Sequence, residues 1–216
     1  MAVLSLLNKP NLRVLCLGAH CDDIEIGCSG TLMTIMEQVP NAQIDWVVFS
    51  SDEVRQAETQ AAAKAILGDA STVHVHRFRN GYFPYLGIEI KDAFEALKAR
   101  ERPDVIFTHT RDDRHQDHRL ISDLTWNTFR DHFILEYEIP KYDGDFGQPN
   151  VFMPLSRRIC DRKVRILADS FTSQRNHQWF SDETFLAVLR LRGIECNAAD
   201  GLAEAYYCRK AILQVR

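Results

Sequence analysis

Short apolar runs alternate with longer helix-forming segments over the first two-thirds of the chain. Residues 12–18 (LRVLCLG), 44–49 (IDWVVF) and 104–109 (DVIFTH) are almost wholly apolar, as strands buried on both faces of a parallel sheet must be. Residues 72–76 (TVHVH) alternate like a further strand. Between the strands, residues 27–36, 53–67, 88–100 and 115–130 read as helices, the second of them Ala-rich and ended by Gly68. Strand–helix repetition predicts an α/β fold, a mainly parallel sheet with helices on both faces. Such sheets bind ligands beyond the carboxyl ends of their strands. The polar clusters at 20–25, 50–55 and 109–118 fall there, after the first, second and fourth strands.

From about residue 133 the pattern changes. Residues 134–139 and 150–153 read as strands separated by a loop rich in Asp, Gly and Pro, 155–168 and 183–192 as helices, and 205–209 as a late strand. No linker or repeat divides the chain, so a single domain over residues 1–216 is expected.

Composition narrows the function classes. Lys and Arg number 26 against 30 Asp and Glu, a net charge of −4, which leaves no basic excess for nucleic acid. The densest basic run, Arg157, Arg158, Arg162, Lys163 and Arg165, reads as a solvated helix face. No apolar stretch is long enough for a membrane span, and the start of the chain lacks the basic region of a secretory signal. The six cysteines form no CxxC pair, so a reduced, cytoplasmic protein is expected rather than a disulfide or cysteine–zinc framework.

Two constellations carry candidate chemistry. In the first, His20-Cys21-Asp22-Asp23-Ile24-Glu25, His20 and Asp23 are three residues apart in a turn entering a helix. That spacing can aim an imidazole nitrogen and a carboxylate oxygen at one metal ion, with Asp22 between them free to handle a proton. The bland alternative is that the acids cap the helix. The second constellation runs from Arg111 to Arg119; His115 and His118 share the same spacing at the front of a helix. One histidine would complete a metal site and the other would work beside it; the alternative is an exposed loop and an N-cap. Both segments follow parallel strands, so they are expected to converge.

Other catalytic patterns do not match. The order Asp117-His118 reverses the His-Asp pair of one metallophosphohydrolase class, and HExxH, GxSxG, the P-loop and the deaminase PCxxC are absent. Gly27-Cys28-Ser29-Gly30 fits close helix–sheet packing better than a phosphate loop. Cys21 is a weak candidate nucleophile, since a cysteine at a strand end is more often buried and inert.

His20-Cys21-Asp22-Asp23 followed by Glu25-Ile26-Gly27-Cys28-Ser29-Gly30-Thr31-Leu32 resembles the opening motif of the PIG-L/LmbE-like zinc-dependent de-N-acetylases, and His115-Gln116-Asp117-His118-Arg119 resembles their second motif. Arg55 and Glu58 are similar to the family's Arg-x-x-Glu element, and Ser173-Gln174 and Ala203-Glu204-Ala205-Tyr206 to its C-terminal landmarks. Cys21 departs from the usual Pro or Ala. The resemblance implies a Rossmann-like fold, one zinc per chain held by His20, Asp23 and His118, Asp22 as general base, a protonated His115 at the oxyanion, and Asp117 orienting and charging His115. It also implies removal of an acetyl group from an N-acetylated amino sugar or sugar conjugate by zinc-activated water, and a possible homo-oligomer. Other divalent metals suit such a ligand set as well.

Arg55 is a candidate substrate contact, with an ion pair to Glu58 as its alternative. Asp52 and Tyr137 are further candidates, and Glu136, Tyr137, Lys141 and the loop to Pro149 are a candidate lid, with a plain surface hairpin as the alternative. Asp112 and Asp113 could support the histidines. His74, His76, His109, His132 and His177 read as structural, with His109 the exception to watch; Trp46, Trp126 and Trp179 read as core, with Trp179 to be checked. The competing functions are an amidohydrolase of this fold acting on another amide, and a catalytically silent sugar-binding protein.

Overall fold

The computed structural model describes residues 9–68, 71–100 and 102–212. Seven strands form one sheet in the order β3-β2-β1-β4-β5-β7-β6. These are β1 (Arg13–Gly18), β2 (Gln43–Val48), β3 (Ser71–Val75), β4 (Val105–His109), β5 (Phe133–Tyr137), β6 (Val151–Pro154) and β7 (Ala203–Tyr207). The first five are parallel; β7 runs antiparallel to β5, and β6 to β7. The chain builds outward from β1 to β3, then returns to place β4 on the other side of β1. The switch point between β1 and β4 is therefore where a crevice opens.

The helices are α1 (Asp23–Gln38), α2 (Glu53–Leu67), α3 (Gly87–Arg100), α4 (Gln116–Thr128), α5 (Arg157–Ser170) and α6 (Asp182–Glu195). Alternation along β1 shows why both faces need cover. Val14 and Cys16 join the core under α1, α2, α5 and α6, while Leu15 and Leu17 join a second core under α3 and α4. Among the described residues no helix is long and apolar enough to cross a membrane.

Two glycines bring α1 onto its neighbours. A Cβ on Gly27 would lie 2.4 Å from the Tyr137 ring, and one on Gly30 2.5 Å from Leu155. The GCSG segment thus serves close packing. Gly30 and Thr31 also donate their backbone N–H groups to the Glu204 carboxylate at 2.8 and 2.7 Å.

Three expectations are corrected here. Helix α1 starts at Asp23, four residues before the position expected, because the Asp22–Asp23 turn already runs into helical geometry. Lys163 does not belong to a solvated face. It is buried, with Nζ 2.5 Å from Glu204 and 2.6 Å from the Ile26 carbonyl, because it falls on the sheet-facing side of α5; its four arginine neighbours are exposed. Tyr137 is fully buried and its hydroxyl donates to the Leu17 carbonyl at 2.6 Å, so it lies against α1 rather than in a pocket.

Candidate functional site

After β1 the chain turns sharply, and the turn is closed by Asp23, whose Oδ2 accepts the His20 N–H at 2.6 Å. Asp22 occupies the N-cap of α1 but its side chain makes no capping bond. Arg55, from the first turn of α2, donates to Asp22 Oδ1 at 2.7 Å instead. Asp22 therefore does not cap the helix, although Asp23 and Glu25 stand in its acidic first turn, and Arg55 pairs with Asp22 in place of Glu58. Glu58 turns to Ser173, accepting from its N–H at 2.9 Å and its hydroxyl at 2.7 Å.

After β4, Asp113 organises the approach to α4. One carboxylate oxygen accepts the His115 N–H at 2.8 Å and the other lies 2.9 Å from His118 Nδ1. His115 is the N-cap of α4, and its Nδ1 accepts the Asp117 N–H at 3.2 Å. That bond assigns the remaining ring proton to Nε2.

The two turns meet at the switch point. His20 Nδ1 lies 3.1 Å from His118 Nε2, and the Asp23 carboxylate lies 3.5 Å from each of these nitrogens, through different oxygens. Ligands about 2.0–2.2 Å from a tetrahedral cation sit about 3.3–3.6 Å apart, so these side chains lie near enough to share a metal ion. Two other triads have ligand atoms within 4.8 Å of one another: His20, His115 and His118, and Asp23, His109 and His118. His109 is fully buried; its Nε2 accepts the Ala19 N–H at 3.0 Å and lies 3.1 Å from Asp23.

Protonation in this cluster departs from ordinary values. Burial opposes charge on His20, yet its bonds to Asp117 and Asp23 outweigh it and raise the imidazole to about 10. Burial, joined by His109, pushes His118 down to about 3. Asp23 is held well below the usual carboxylate range by His118, His109 and His20, despite its burial. Asp22 is raised, because burial disfavours its charge more than Arg55 favours it. Cys21 is pushed up to about 12 by burial, which makes it an inert thiol.

Two expectations about the second motif fail. The Asp117 carboxylate does not face His115; it accepts from His20 Nε2 at 3.2 Å, Gly81 N–H at 2.6 Å and Phe83 N–H at 3.2 Å. His115 is accordingly not held as an imidazolium: burial and the His20 charge lower it below its ordinary value. The backbone geometry of the His115 N-cap turns the neighbouring carboxylate toward the loop after β3, where Gly81 has φ 77°, a conformation that favours glycine.

A cavity of about 310 Å³ opens above the cluster. It is lined by His20, Asp22, Asp23, Arg55, His115 and His118. Asn80, Tyr142 and Asp143 also line it, as do His177 and Trp179, whose rings stack with centroids 6.1 Å apart. Asp52 is not among the lining residues; it caps α2 by accepting the Arg55 N–H at 2.9 Å. His177 reaches the pocket instead of serving packing alone, while Trp179 packs against the core as expected and lines the pocket as well. Asn80 was not anticipated, although it too follows a strand's carboxyl end, and the role of Gly81 had no sequence signal.

Fold and site together define a mainly parallel α/β protein with a His/Asp cluster at its switch point. The model of the PIG-L family, GlcNAc-PI de-N-acetylase, matches residues 15–129, and the chain belongs to this family of deacetylases. The chain is 28% identical over 180 residues to the uncharacterized deacetylase YaiS of Escherichia coli K12, covering 76% of this chain and 94% of that one. Among solved structures it is similar to the N,N'-diacetylchitobiose deacetylase of Pyrococcus horikoshii, with TM-score 0.69, 18% identity, and 94% and 86% of the two chains covered. It is equally similar to GalB, the 4-carboxy-2-hydroxymuconate hydratase of Pseudomonas putida KT2440, with TM-score 0.71, 14% identity, and 95% and 99% covered. The fold is thus shared by different reactions, and the chemistry must be argued from the site.

Proposed function

We propose that this protein is a metal-dependent hydrolase that removes the acetyl group from an N-acetylated amino sugar or sugar conjugate. The observation that carries this reading is the His20–Asp23–His118 triangle with the raised carboxyl of Asp22 beside it, all lining one pocket. The three ligands would leave a coordination position open; zinc is the metal favoured by two imidazoles and a carboxylate, and it would polarise the amide carbonyl and acidify a water. Asp22 takes a proton from the attacking water and later returns it to the departing amine. Arg55 holds Asp22 in place through the 2.7 Å bond. His115 donates from Nε2 as a neutral imidazole to the developing oxyanion, a contribution on the order of 3–4 kcal/mol for a pre-aimed donor. Asp113 and Asp117 orient His118 and His20, as outer carboxylates do for metal-binding histidines. The pocket is suited to a sugar by its mixture of hydroxyl-binding groups and the Trp179–His177 face.

The test is metal content per chain and acetate release from a panel of N-acetyl sugars, for wild type, His118→Ala and Asp22→Asn. Near-stoichiometric metal in wild type and Asp22→Asn but not in His118→Ala, with acetate released by wild type alone, is the expected result. Bound metal with no acetate from any sugar would favour another amide or a different reaction of this fold. No metal after reconstitution would sink the mechanism.

A further inference from the structure

The loop between β5 and β6 is tied at its base and again in its middle. At the base, buried Glu138 accepts the Gly147 N–H at 3.0 Å, and its other oxygen takes a two-point bond from Arg192 at 3.1 and 2.7 Å. Arg192 also reaches the Gly147 carbonyl at 3.1 Å. In the middle, Lys141 Nζ lies 3.0 Å from Asp113 Oδ2 and 2.8 Å from Asp145 Oδ1. Asp145 in turn accepts the Arg114 N–H at 2.7 Å. The loop therefore grips residues 113–114, the segment leading into α4.

A plain surface hairpin has no use for this arrangement. The Lys141 side chain is only 10% exposed and Asp113 is fully buried, so each gives up hydration that an exposed pair would keep. Asp113 is also the carboxylate that holds His118 Nδ1 and the His115 N–H. Lys141 itself lines the pocket, as do Tyr142 and Asp143, which lie at the loop's tip between Lys141 and Asp145. Tyr142 is 70% exposed and gains burial only from something seated beside it.

We propose that Lys141 is a positioning residue that fixes the 139–146 loop as a wall of the substrate pocket by bonding to Asp113. One carboxylate then sets the register between the reacting end of the pocket, at His115 and His118, and the outer wall at Tyr142 and Asp143. That wall offers an aromatic face and a carboxylate acceptor, which suits the hydroxyl-rich part of a sugar away from its acetamide. The inference rests on the pocket being the sugar site, but the clamp has a readout that needs no activity.

The experiment compares wild type with Lys141→Met, Lys141→Arg and Asp145→Asn. Chymotrypsin is applied under native conditions, with cleavage after Tyr142 and Phe146 followed, because such cleavage tracks local opening. Lys141→Met is expected to speed cleavage about tenfold, and to raise KM for an N-acetyl sugar about tenfold while kcat stays within about threefold and metal stays near one per chain. Lys141→Arg should return cleavage and KM toward wild type, and Asp145→Asn should show a weaker form of the same change. Unchanged cleavage and KM in Lys141→Met would overturn the proposal. So would loss of metal with unchanged cleavage, since Lys141 would then act on His118 and not on the loop. If wild type hydrolyses no N-acetyl sugar, the functional reading fails while the cleavage rates still decide the clamp.

Discussion

Helix α1 separates two buried groups of charges that the fold treats in opposite ways. Near its middle, Lys163 and Glu204 form a pair whose remaining bonds go to the Ile26 carbonyl, to Gly30, to Thr31 and to the Tyr206 hydroxyl. Neither partner is left with an unanswered oxygen or nitrogen. At its N-terminus, His20, Asp22, Asp23 and Glu25 are as deeply buried, but their bonding is unequal. Asp23 is shared among three histidines, Glu25 leaves Oε2 unpartnered and the neighbouring His109 leaves Nδ1 unpartnered. A satisfied pair holds elements together; a crowded, unevenly satisfied cluster displaces protonation states and so is a place for chemistry.

The comparison breaks most sharply at Asp22. Asp22→Asn should lower turnover by about 10²–10⁴-fold, the range for removing a general base, while far-UV circular dichroism and metal content remain those of wild type. If turnover survives, the functional half of the contrast is lost. The structural half is tested by Lys163→Met, which strands the Glu204 carboxylate. Unfolding free energy in urea should fall by about 3–5 kcal/mol, with the activity of the folded fraction kept within about twofold.

pH separates the two regions more gently. In protein stripped by chelator, His20 is held charged up to about 10 against an ordinary 6.5. A raised folded value means stability fully present below pH 6.5 and lost as pH climbs through about 10, so the melting temperature should decline over that window. The same proton competes with metal, so metal affinity measured by chelator competition should rise toward about tenfold per pH unit between pH 6 and 8. Affinity independent of pH would remove His20 from the ligand set. The acid limb of kcat/KM should lie above the ordinary carboxylate range, because burial raises Asp22. The smallest effect belongs to Arg157→Ala, one turn and a half before Lys163 on the same helix. Arg157 is exposed and pairs with Asp161 at 2.8 Å, so stability should change by less than about 0.5 kcal/mol.

Strand and helix assignments were legible over most of the chain because apolar runs buried on both faces have few other uses. The boundaries moved where capping and turn geometry decide, as at Asp23 and at the start of α4. The residues that converge in the site were also legible, since spacing within a turn is local and both segments follow parallel strands. Which partner each residue takes was not. Asp117 was expected to serve His115 and serves His20; Arg55 was weighed against Glu58 and meets Asp22. Tyr137 and Asp52 looked like pocket residues by position and are a core ring and a helix cap. Trp179 and His177 reach the pocket from a segment beyond both motifs, where no local pattern could have placed them.

By itself the sequence determined the mainly parallel architecture of the sheet and brought His20, Asp22, Asp23, His115 and His118 forward as candidates, because these depend on periodicity and on short local motifs. Tertiary structure decided the hydrogen-bond partner of every buried charge, the protonation that follows from it and the wall held by Lys141. Those depend on which atoms of distant segments come within about 3 Å, and on how much water the fold removes around them, neither of which is a property of any one stretch of chain.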